Sequence, residues 1–239
     1  MLSAQRKFRV KIFADGADVA SMVEMYHDPI ISGFTTNPTL MRKAGVKEYR
    51  SFAREVLEVI KAKPISFEVF SDDFGEMERQ AKEIASWGKN VAVKIPVTNT
   101  RGKSSVELIA KLSKANVRVN VTAMMTLEQV MGVVPALADG PGGYVSVFAG
   151  RIADSGTDPV PIMAEIVAYL RSFPKIELIW ASPREALNIV QAESIGCHII
   201  TATNDVLKKL PLIGKDLGEF SLDTVKMFYG DARAAGYNL

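Results

Sequence analysis

The stretch "NVAVKI" (90–95), which precedes a proline, decides the fold class because apolar residues alternate in it with other residue types. Successive side chains of a β-strand point to opposite faces. Val91, Val93 and Ile95 thus share one apolar face, whereas Lys94 lies on the other. Burying an ammonium without a partner is costly. Lys94 is therefore exposed at a strand end, paired with a carboxylate, or placed there for the chemistry of its amine.

Similar short apolar runs recur along the chain and alternate with segments of helical periodicity. The other predicted strands are 10–15, 32–37, 65–70, 118–123, 144–149, 177–182 and 197–201. The predicted helices are 47–62, 74–87, 104–114, 126–138, 159–171, 183–195 and 203–210. Alternating strands and helices indicate a parallel sheet. Eight such units in 239 residues favour an α/β fold of the (β/α)8 TIM-barrel type, with a doubly wound open sheet as the alternative.

The chain is expected to form one domain, with a barrel over residues 1–220 and a C-terminal helical tail over 221–239 that belongs to it. The net charge of +2 does not indicate a nucleic-acid or membrane partner. A single cysteine, Cys197, and the lack of an apolar leader favour a cytoplasmic location. Histidines and cysteines do not cluster at metal-ligand spacing, and glycine-rich nucleotide loops are missing, so neither a metal nor another cofactor is expected.

The polar residues of the strands concentrate at the carboxyl ends, on the face opposite the apolar one. In a barrel this face points to the interior, and barrel active sites lie at the carboxyl ends of the strands. The same alternation predicts that Ile179 and Ala181 face the helices and that Ser182 faces the interior. The alternative explanation is that these strand ends are polar because they approach solvent. The side chains expected at the inner rim are Asp15, Thr35, Asn37, Glu68, Lys94, Asn120, Thr122, Ser146, Phe148 and Ser182.

A lysine inside a barrel mouth suits Schiff-base chemistry. Desolvation disfavours the charged form of a lysine, and a neutral amine attacks a ketone to form a carbinolamine and then an iminium. Carboxyl groups must move protons at each step, and Asp15 and Glu68 are available for this. Neither histidine fits the rim, because His27 lies in a loop and His198 faces outward in the eighth strand. A purely structural salt bridge from Lys94 to one of the two carboxylates remains the alternative.

An ordered series of motifs adds a family resemblance. The segments "FADGAD", "GFTTNP", "SFEV", "VKIPVT", "VNVTA", "SVFAGRI" and "WASPR" occur in this order over about residues 10–205. The series resembles the transaldolase family, including its small members and the related fructose-6-phosphate aldolases. The resemblance implies a class I aldol mechanism on a (β/α)8 barrel, with Lys94 forming the Schiff base and Asp15 acting as acid and base.

The resemblance also implies roles for the remaining polar positions. Glu68 and Thr122 are expected to hold the catalytic water. Asn37 and Asn120 are expected to bind the hydroxyl groups of the donor sugar. The other positions contact the sugar phosphate: Thr35 and Ser146 at the ketose, and Arg151, Ser182 and Arg184 at the phosphate. Arginine suits this last role because its planar fork matches a phosphate.

Two positions separate the branches of this family. The aldolase branch typically has glutamine and tyrosine where this chain has Glu68 and Phe148. A phenol can donate a proton to the bound intermediate and a phenyl ring cannot. The transferase branch is therefore expected, moving a dihydroxyacetone unit from sedoheptulose 7-phosphate or fructose 6-phosphate to an aldose phosphate. Direct aldol cleavage is the alternative.

The loops and the polar positions bear on the substrate and on the reaction class. The segments "MMTLEQV" and "RIADSGTDP" are individual to this chain, so another sugar in a specialised pathway is possible. A Schiff-base decarboxylase or dehydratase is disfavoured, because the amides and hydroxyls suit a polyhydroxylated ketose. A catalytically silent scaffold is disfavoured because every expected polar position is present. Small members of the family form rings, so a homo-oligomer in which residues 221–239 reach a neighbour is expected.

Overall fold

Eight parallel strands close into a barrel in the computed structural model, which describes residues 7–238. Each strand pairs with the next one along the chain, and the last strand pairs with the first. The strands are β1 (Lys11–Asp15), β2 (Ile31–Thr35), β3 (Ile65–Glu68), β4 (Val91–Pro96), β5 (Val119–Met124), β6 (Gly143–Val147), β7 (Ile176–Trp180) and β8 (Ile199–Ala202). The predicted (β/α)8 barrel is thereby confirmed, and the open-sheet alternative is wrong.

Helices surround the barrel. They are α1 (Val19–Tyr26), α2 (Pro38–Lys43), α3 (Tyr49–Val59), α4 (Phe74–Ala85), α5 (Val106–Lys114), α6 (Leu127–Ala138), α7 (Ala149–Asp154), α8 (Pro159–Leu170), α9 (Leu187–Ser194), α10 (Asn204–Leu207) and α11 (Leu217–Ala234), with a 3-10 turn at Leu210–Leu212. All seven predicted helical segments correspond to helices. The sequence pattern missed α1, α2 and α7. The last two have six residues each, too few to display a helical period.

Two apolar layers follow from the strand alternation. The larger layer lies between strands and helices and contains, among others, Val93, Ile95 and Val121. The smaller one fills the barrel interior with Phe13, Ala92, Tyr144, Ile179, Ala181 and Ile199. In β4, this arrangement leaves only the inward face for Lys94, as its alternation with Val93 and Ile95 predicts.

The predicted facing of β7 is wrong. Ile179 and Ala181 belong to the interior cluster, whereas Leu178 and Trp180 pack against the helices. The error arises because Ile179 and Ala181 are themselves apolar, so that Glu177 is the single polar residue of the strand that marks the inward face. Ser182 nevertheless reaches the barrel mouth, because it follows the strand in a left-handed conformation (φ 61°) that redirects its side chain.

The C-terminal helix α11 begins at Leu217, four residues before the predicted tail. In the part of the chain that the structure describes, no residue of α11 is buried, and several of its large apolar side chains face solvent. They include Leu217, Val225, Phe228 and Tyr229, each at least 60% exposed. Among the described helices, none combines the length and the apolar character that crossing a bilayer requires.

Candidate active site

Lys94 lies at the carboxyl end of β4 and is 5% exposed. Its Nζ donates a hydrogen bond of 2.9 Å to the carbonyl oxygen of Thr36 and lies 3.0 Å from Oε2 of Glu68. Glu68 is the residue directly beside Lys94 in the register of β3 and β4. The amine is therefore shielded from bulk water and within proton-transfer distance of a carboxylate.

Asp15 ends β1 in the same barrel mouth. It accepts a hydrogen bond of 2.7 Å from the hydroxyl of Thr35, which shares a second hydrogen bond of 2.5 Å with the hydroxyl of Thr201. Burial raises the pKa of Asp15, while the charge of Lys94 and the bond from Thr35 oppose that rise. Asp15 thus holds a proton to higher pH than an exposed aspartate and is suited to act as a general acid.

The amide of Asn37 has a structural task as well as a place at the rim. Its Oδ1 accepts a hydrogen bond of 2.9 Å from the backbone N–H of Leu40 and so caps the N-terminus of α2. The side chain also stabilises the charged form of the Asp15 carboxylate by hydrogen bonding. The "TNP" segment therefore starts a helix and presents an amide beside Asp15 at the same time.

Asn120 lies deeper than expected. It is fully buried, donates to the hydroxyl of Ser66 at 3.1 Å and accepts from the hydroxyl of Ser146 at 2.7 Å. Ser146 lines the cavity, whereas Asn120 is not among the described residues that do. The amide thus orients Ser146. The buried hydroxyl of Thr122 has no hydrogen-bond partner among the described residues, so it is available to a water or substrate oxygen.

The two expected phosphate-binding arginines meet where α7 approaches the loop after β7. Arg151 is exposed, and its guanidinium carbon lies 5.7 Å from the centre of the Phe148 ring. Arg184 donates from Nη1 to the carbonyl and hydroxyl oxygens of Ser182, both at 2.9 Å. Its Nε and Nη2 pair with the carboxylate of Asp154. The ion pair lowers the pKa of Asp154.

Gly150 makes this approach possible. A Cβ atom at this position would lie 1.6 Å from the carbonyl oxygen of Ser182. Such a separation is about half a normal carbon–oxygen contact. The "GRI" segment therefore needs its glycine, because any side chain would push α7 away from the loop that carries Ser182 and Arg184.

These side chains surround one cavity of about 520 Å³ at the carboxyl end of the barrel. Of the expected site residues, the cavity is lined by Asp15, Thr35, Asn37, Glu68, Lys94, Thr122, Ser146, Phe148, Arg151, Ser182 and Arg184. Four basic side chains and two carboxylates line it, counting Lys43, which the sequence pattern did not single out. The excess of positive charge favours an anionic ligand.

Sequence reasoning also missed Thr201, Thr203 and Tyr49. Thr201 has the inward facing of β8 and lines the cavity, so strand alternation alone identifies it. Tyr49 lies on α3 and contacts the backbone of Glu68, and no local pattern marks it. Across residues 7–238, no group of three or more His, Cys, Asp and Glu side chains is placed to hold a metal ion.

Comparisons with known proteins agree with this architecture. The tryptophan synthase α-subunit of Campylobacter jejuni superposes with a TM-score of 0.55 at 14% identity, covering 83% of this chain and 88% of that one. The orotidine 5'-monophosphate decarboxylase of Sulfolobus solfataricus superposes with a TM-score of 0.54 at 17% identity, covering 87% of this chain and 97% of that one. At these identities the similarity concerns the barrel fold alone.

Sequence relatives are closer. A protein of Dehalococcoides mccartyi named "Probable transaldolase" is 34% identical over 218 residues, covering 90% of this chain and 97% of that protein. A protein of the same name from Thermoanaerobacter sp. is 35% identical over 218 residues, covering 90% and 96%. The family model described as Transaldolase/Fructose-6-phosphate aldolase matches residues 12–238. The chain therefore belongs to the transaldolase/fructose-6-phosphate aldolase family.

Proposed function

We propose that this protein is a transaldolase-type transferase that moves a dihydroxyacetone unit from a ketose phosphate to an aldose phosphate through a Schiff base on Lys94. The observation that carries the proposal is the Lys94 amine, which is buried in the barrel mouth 3.0 Å from Glu68. Family membership and relatives named as transaldolases support a transferase of this kind. We infer that its substrates are sugar phosphates of the pentose phosphate pathway and that it acts in the cytoplasm.

Schiff-base formation needs a neutral amine. The Lys94 ammonium first gives a proton to Glu68, and the amine then attacks C2 of the ketose to form a carbinolamine. A proton from a carboxylic acid allows the C2 hydroxyl to leave as water, which gives the iminium. The unpartnered hydroxyl of Thr122 is suited to bind this water beside Glu68.

Carbon–carbon cleavage follows from the iminium, which accepts electrons. Asp15 removes the proton of the C4 hydroxyl, the C3–C4 bond breaks, and its electron pair moves into the iminium to give an enamine while the aldehyde leaves. A new aldehyde then binds, the enamine carbon attacks its carbonyl carbon, and Asp15 returns the proton to the resulting alkoxide. Its raised pKa supports this second step, because the carboxyl must remain protonated until the acceptor arrives.

Recognition of the donor divides the cavity into two ends. Asn37, Thr35 and Ser146 supply amide and hydroxyl groups near Lys94, which suits the hydroxyl groups of a ketose. Arg151 and Arg184 supply positive charge at the other end, which suits the phosphate. Arg184 binds the phosphate either by giving up part of its pairing with Asp154 or by donating its remaining N–H group to a phosphate oxygen.

Phe148 supports transfer over direct aldol cleavage. Its ring lines the cavity and carries no hydroxyl that could protonate the enamine. Without a phenol at this position the enamine has one proton donor fewer, which favours its persistence until an aldehyde acceptor binds. Fructose-6-phosphate aldolase activity is the second candidate, since Asp15 is an acid within the same cavity. A different acceptor sugar remains compatible with the loop that follows β6.

Borohydride trapping tests the mechanism. We expect reduction in the presence of fructose 6-phosphate to leave a dihydroxyacetone adduct on the peptide that contains Lys94. Lys94→Ala should abolish the adduct, and Lys114→Ala, at the end of α5, should leave it in place. An adduct on another lysine, or none with any ketose phosphate, contradicts the proposed mechanism and favours a purely structural ion pair.

Adding erythrose 4-phosphate distinguishes the two branches. A transferase releases sedoheptulose 7-phosphate in proportion to the acceptor consumed and accumulates little free dihydroxyacetone. If free dihydroxyacetone accumulates as fast as the acceptor disappears, the enzyme is an aldolase. Phe148→Tyr should increase the release of dihydroxyacetone, because it adds a proton donor beside the enamine.

A further inference from the structure

The strand that carries Glu68 has an incomplete hydrogen-bond edge. The pairing of β2 with β3 comprises only Phe34 with Ile65 and Thr35 with Ser66. The backbone N–H of Thr36 still bonds to the carbonyl of Ser66 at 3.1 Å, and the chain then enters α2. Beyond this point β2 supplies no further strand for β3.

Glu68 lies at this gap. In a parallel sheet, alternate residues of a strand direct their N–H and C=O groups to opposite neighbours. Ser66 bonds towards β2, and the N–H of Val69 bonds to the carbonyl of Lys94 in β4 at 3.2 Å. The backbone groups of Glu68 therefore point towards β2, where the strand partner has ended.

The hydroxyl of Tyr49 takes the place of the missing strand. It donates a hydrogen bond of 2.8 Å to the carbonyl oxygen of Glu68 and accepts one of 2.9 Å from its N–H. One phenol thus satisfies both backbone groups of a single residue. Burial raises the pKa of Tyr49, so the hydroxyl keeps the proton that it donates.

Packing fixes the Tyr49 ring itself. The ring contacts Phe67, Phe70 and Trp87 with centroid distances of 6.4, 5.5 and 5.7 Å. The hydroxyl is therefore presented to β3 by a side chain that has little rotational freedom. The same gap is bridged on the cavity side by the bond from Lys94 Nζ to Thr36.

We propose that Tyr49 is a positioning residue that holds Glu68 at proton-transfer distance from Lys94. The inference rests on the proposed function, in which Glu68 exchanges protons with the Lys94 amine. Tyr49 acts through the backbone of Glu68 and does not line the cavity, so its contribution concerns the rate of proton transfer and not the affinity for the sugar. A carboxylate whose backbone is not held can move by a fraction of an ångström and lose this geometry.

Tyr49→Phe removes the hydroxyl and keeps the ring, and Tyr169→Phe in α8 is the matched control. We expect Tyr49→Phe to lower kcat for transfer from fructose 6-phosphate to erythrose 4-phosphate by about tenfold. The KM for fructose 6-phosphate should stay within about twofold, since sugar contacts are unchanged. Rapid borohydride quenching should show slower formation of the Lys94 adduct with the same final extent. Tyr169→Phe should leave each quantity at its wild-type value.

A double-mutant cycle with Glu68→Gln identifies the route of the effect. If Tyr49 acts through Glu68, adding Tyr49→Phe to Glu68→Gln lowers kcat by less than about twofold further. Two results overturn the inference and leave the proposed function intact. One is that the losses of kcat in the two single variants add fully in the double variant. The other is that Tyr49→Phe leaves kcat unchanged while Glu68→Gln lowers it. Failure of the wild-type protein to form any Lys94 adduct with fructose 6-phosphate instead overturns the proposed function. Thermal unfolding of each variant shows whether a slower rate merely reflects unfolded protein.

Discussion

Replacing Gly150 with alanine tests how the phosphate end of the cavity is built. A Cβ atom at Gly150 would lie 1.6 Å from the Ser182 carbonyl oxygen and 3.4 Å from Cζ of Arg184. Because a carbon–oxygen contact needs about 3.3 Å, α7 and the loop after β7 must separate by about 1.7 Å. The clash is with backbone, so no side-chain rotation relieves it.

The magnitude follows from a matched comparison with Gly132→Ala. Gly132 lies within α6, and a Cβ atom there meets nothing within 4 Å. Both substitutions gain about 1 kcal/mol of helix propensity. Only Gly150→Ala also suffers overpacking of about 1–3 kcal/mol. Gly150→Ala should therefore unfold at a Tm about 2–12 °C below that of Gly132→Ala.

Activity should change in the same comparison. Separation of α7 from the loop displaces Arg151 and Arg184 from their common target. Loss of a charge-assisted hydrogen bond costs about 1.5–3 kcal/mol, so we expect the KM for fructose 6-phosphate to rise about tenfold to a hundredfold. Trapping of unphosphorylated dihydroxyacetone on Lys94 should change little. Equal Tm and KM values for Gly150→Ala and Gly132→Ala would refute the reasoning about close approach.

Three further predictions concern charge, pH and assembly. Arg184→Ala should raise the KM for fructose 6-phosphate about tenfold or more, whereas Arg171→Ala, at the end of α8, should not; an unchanged KM in the first variant removes Arg184 from phosphate binding. Burial lowers the pKa of His198, and its Nδ1 accepts a hydrogen bond from the N–H of Leu178. Between about pH 6.5, the pKa of a histidine in the unfolded chain, and the lowered pKa of the folded protein, acidification therefore protonates His198 only in the unfolded chain. Stability should fall in that window, and His198→Asn should flatten the fall in denaturant titrations at each pH. We propose that the exposed apolar side chains of α11 pack against a second copy of the chain. Deleting residues 217–239 should therefore lower the number of chains per particle, obtained by dividing the light-scattering mass by the mass of one truncated chain; an unchanged number contradicts this.

Strand alternation predicted the inner rim of the barrel where one face of a strand is polar. In β4 and β5 the apolar valines define the helix-facing side, so Lys94 and Thr122 have to face the interior. The same rule failed in β7, because two of the three inward residues, Ile179 and Ala181, are as apolar as the helix-facing ones and only Glu177 differs. Alternation thus predicts facing only as far as the two faces differ in polarity.

Depth and long-range contacts were beyond the sequence pattern. Asn120 and Ser146 have the same inward facing, yet only Ser146 reaches the cavity, because alternation gives the side of a strand and not the height along the barrel axis. The pairing of Asp154 with Arg184 joins residues 30 positions apart. The need for glycine at position 150 depends on a carbonyl from another strand–helix loop, which no local motif encodes.

The structural and catalytic explanations of Lys94 describe two protonation states of one pair. A buried ion pair adds little stability on balance, because desolvation of both charges offsets their attraction. Moving one proton across the 3.0 Å between Lys94 and Glu68 removes both charges at once and leaves the net charge of the cavity unchanged. In the neutral pair that results, the amine is a nucleophile and the carboxyl is an acid. Since the carbinolamine must next receive a proton to lose water, the transfer that activates Lys94 also prepares Glu68 for the following step. On the proposed mechanism, the salt bridge is thus the resting form of the catalytic pair.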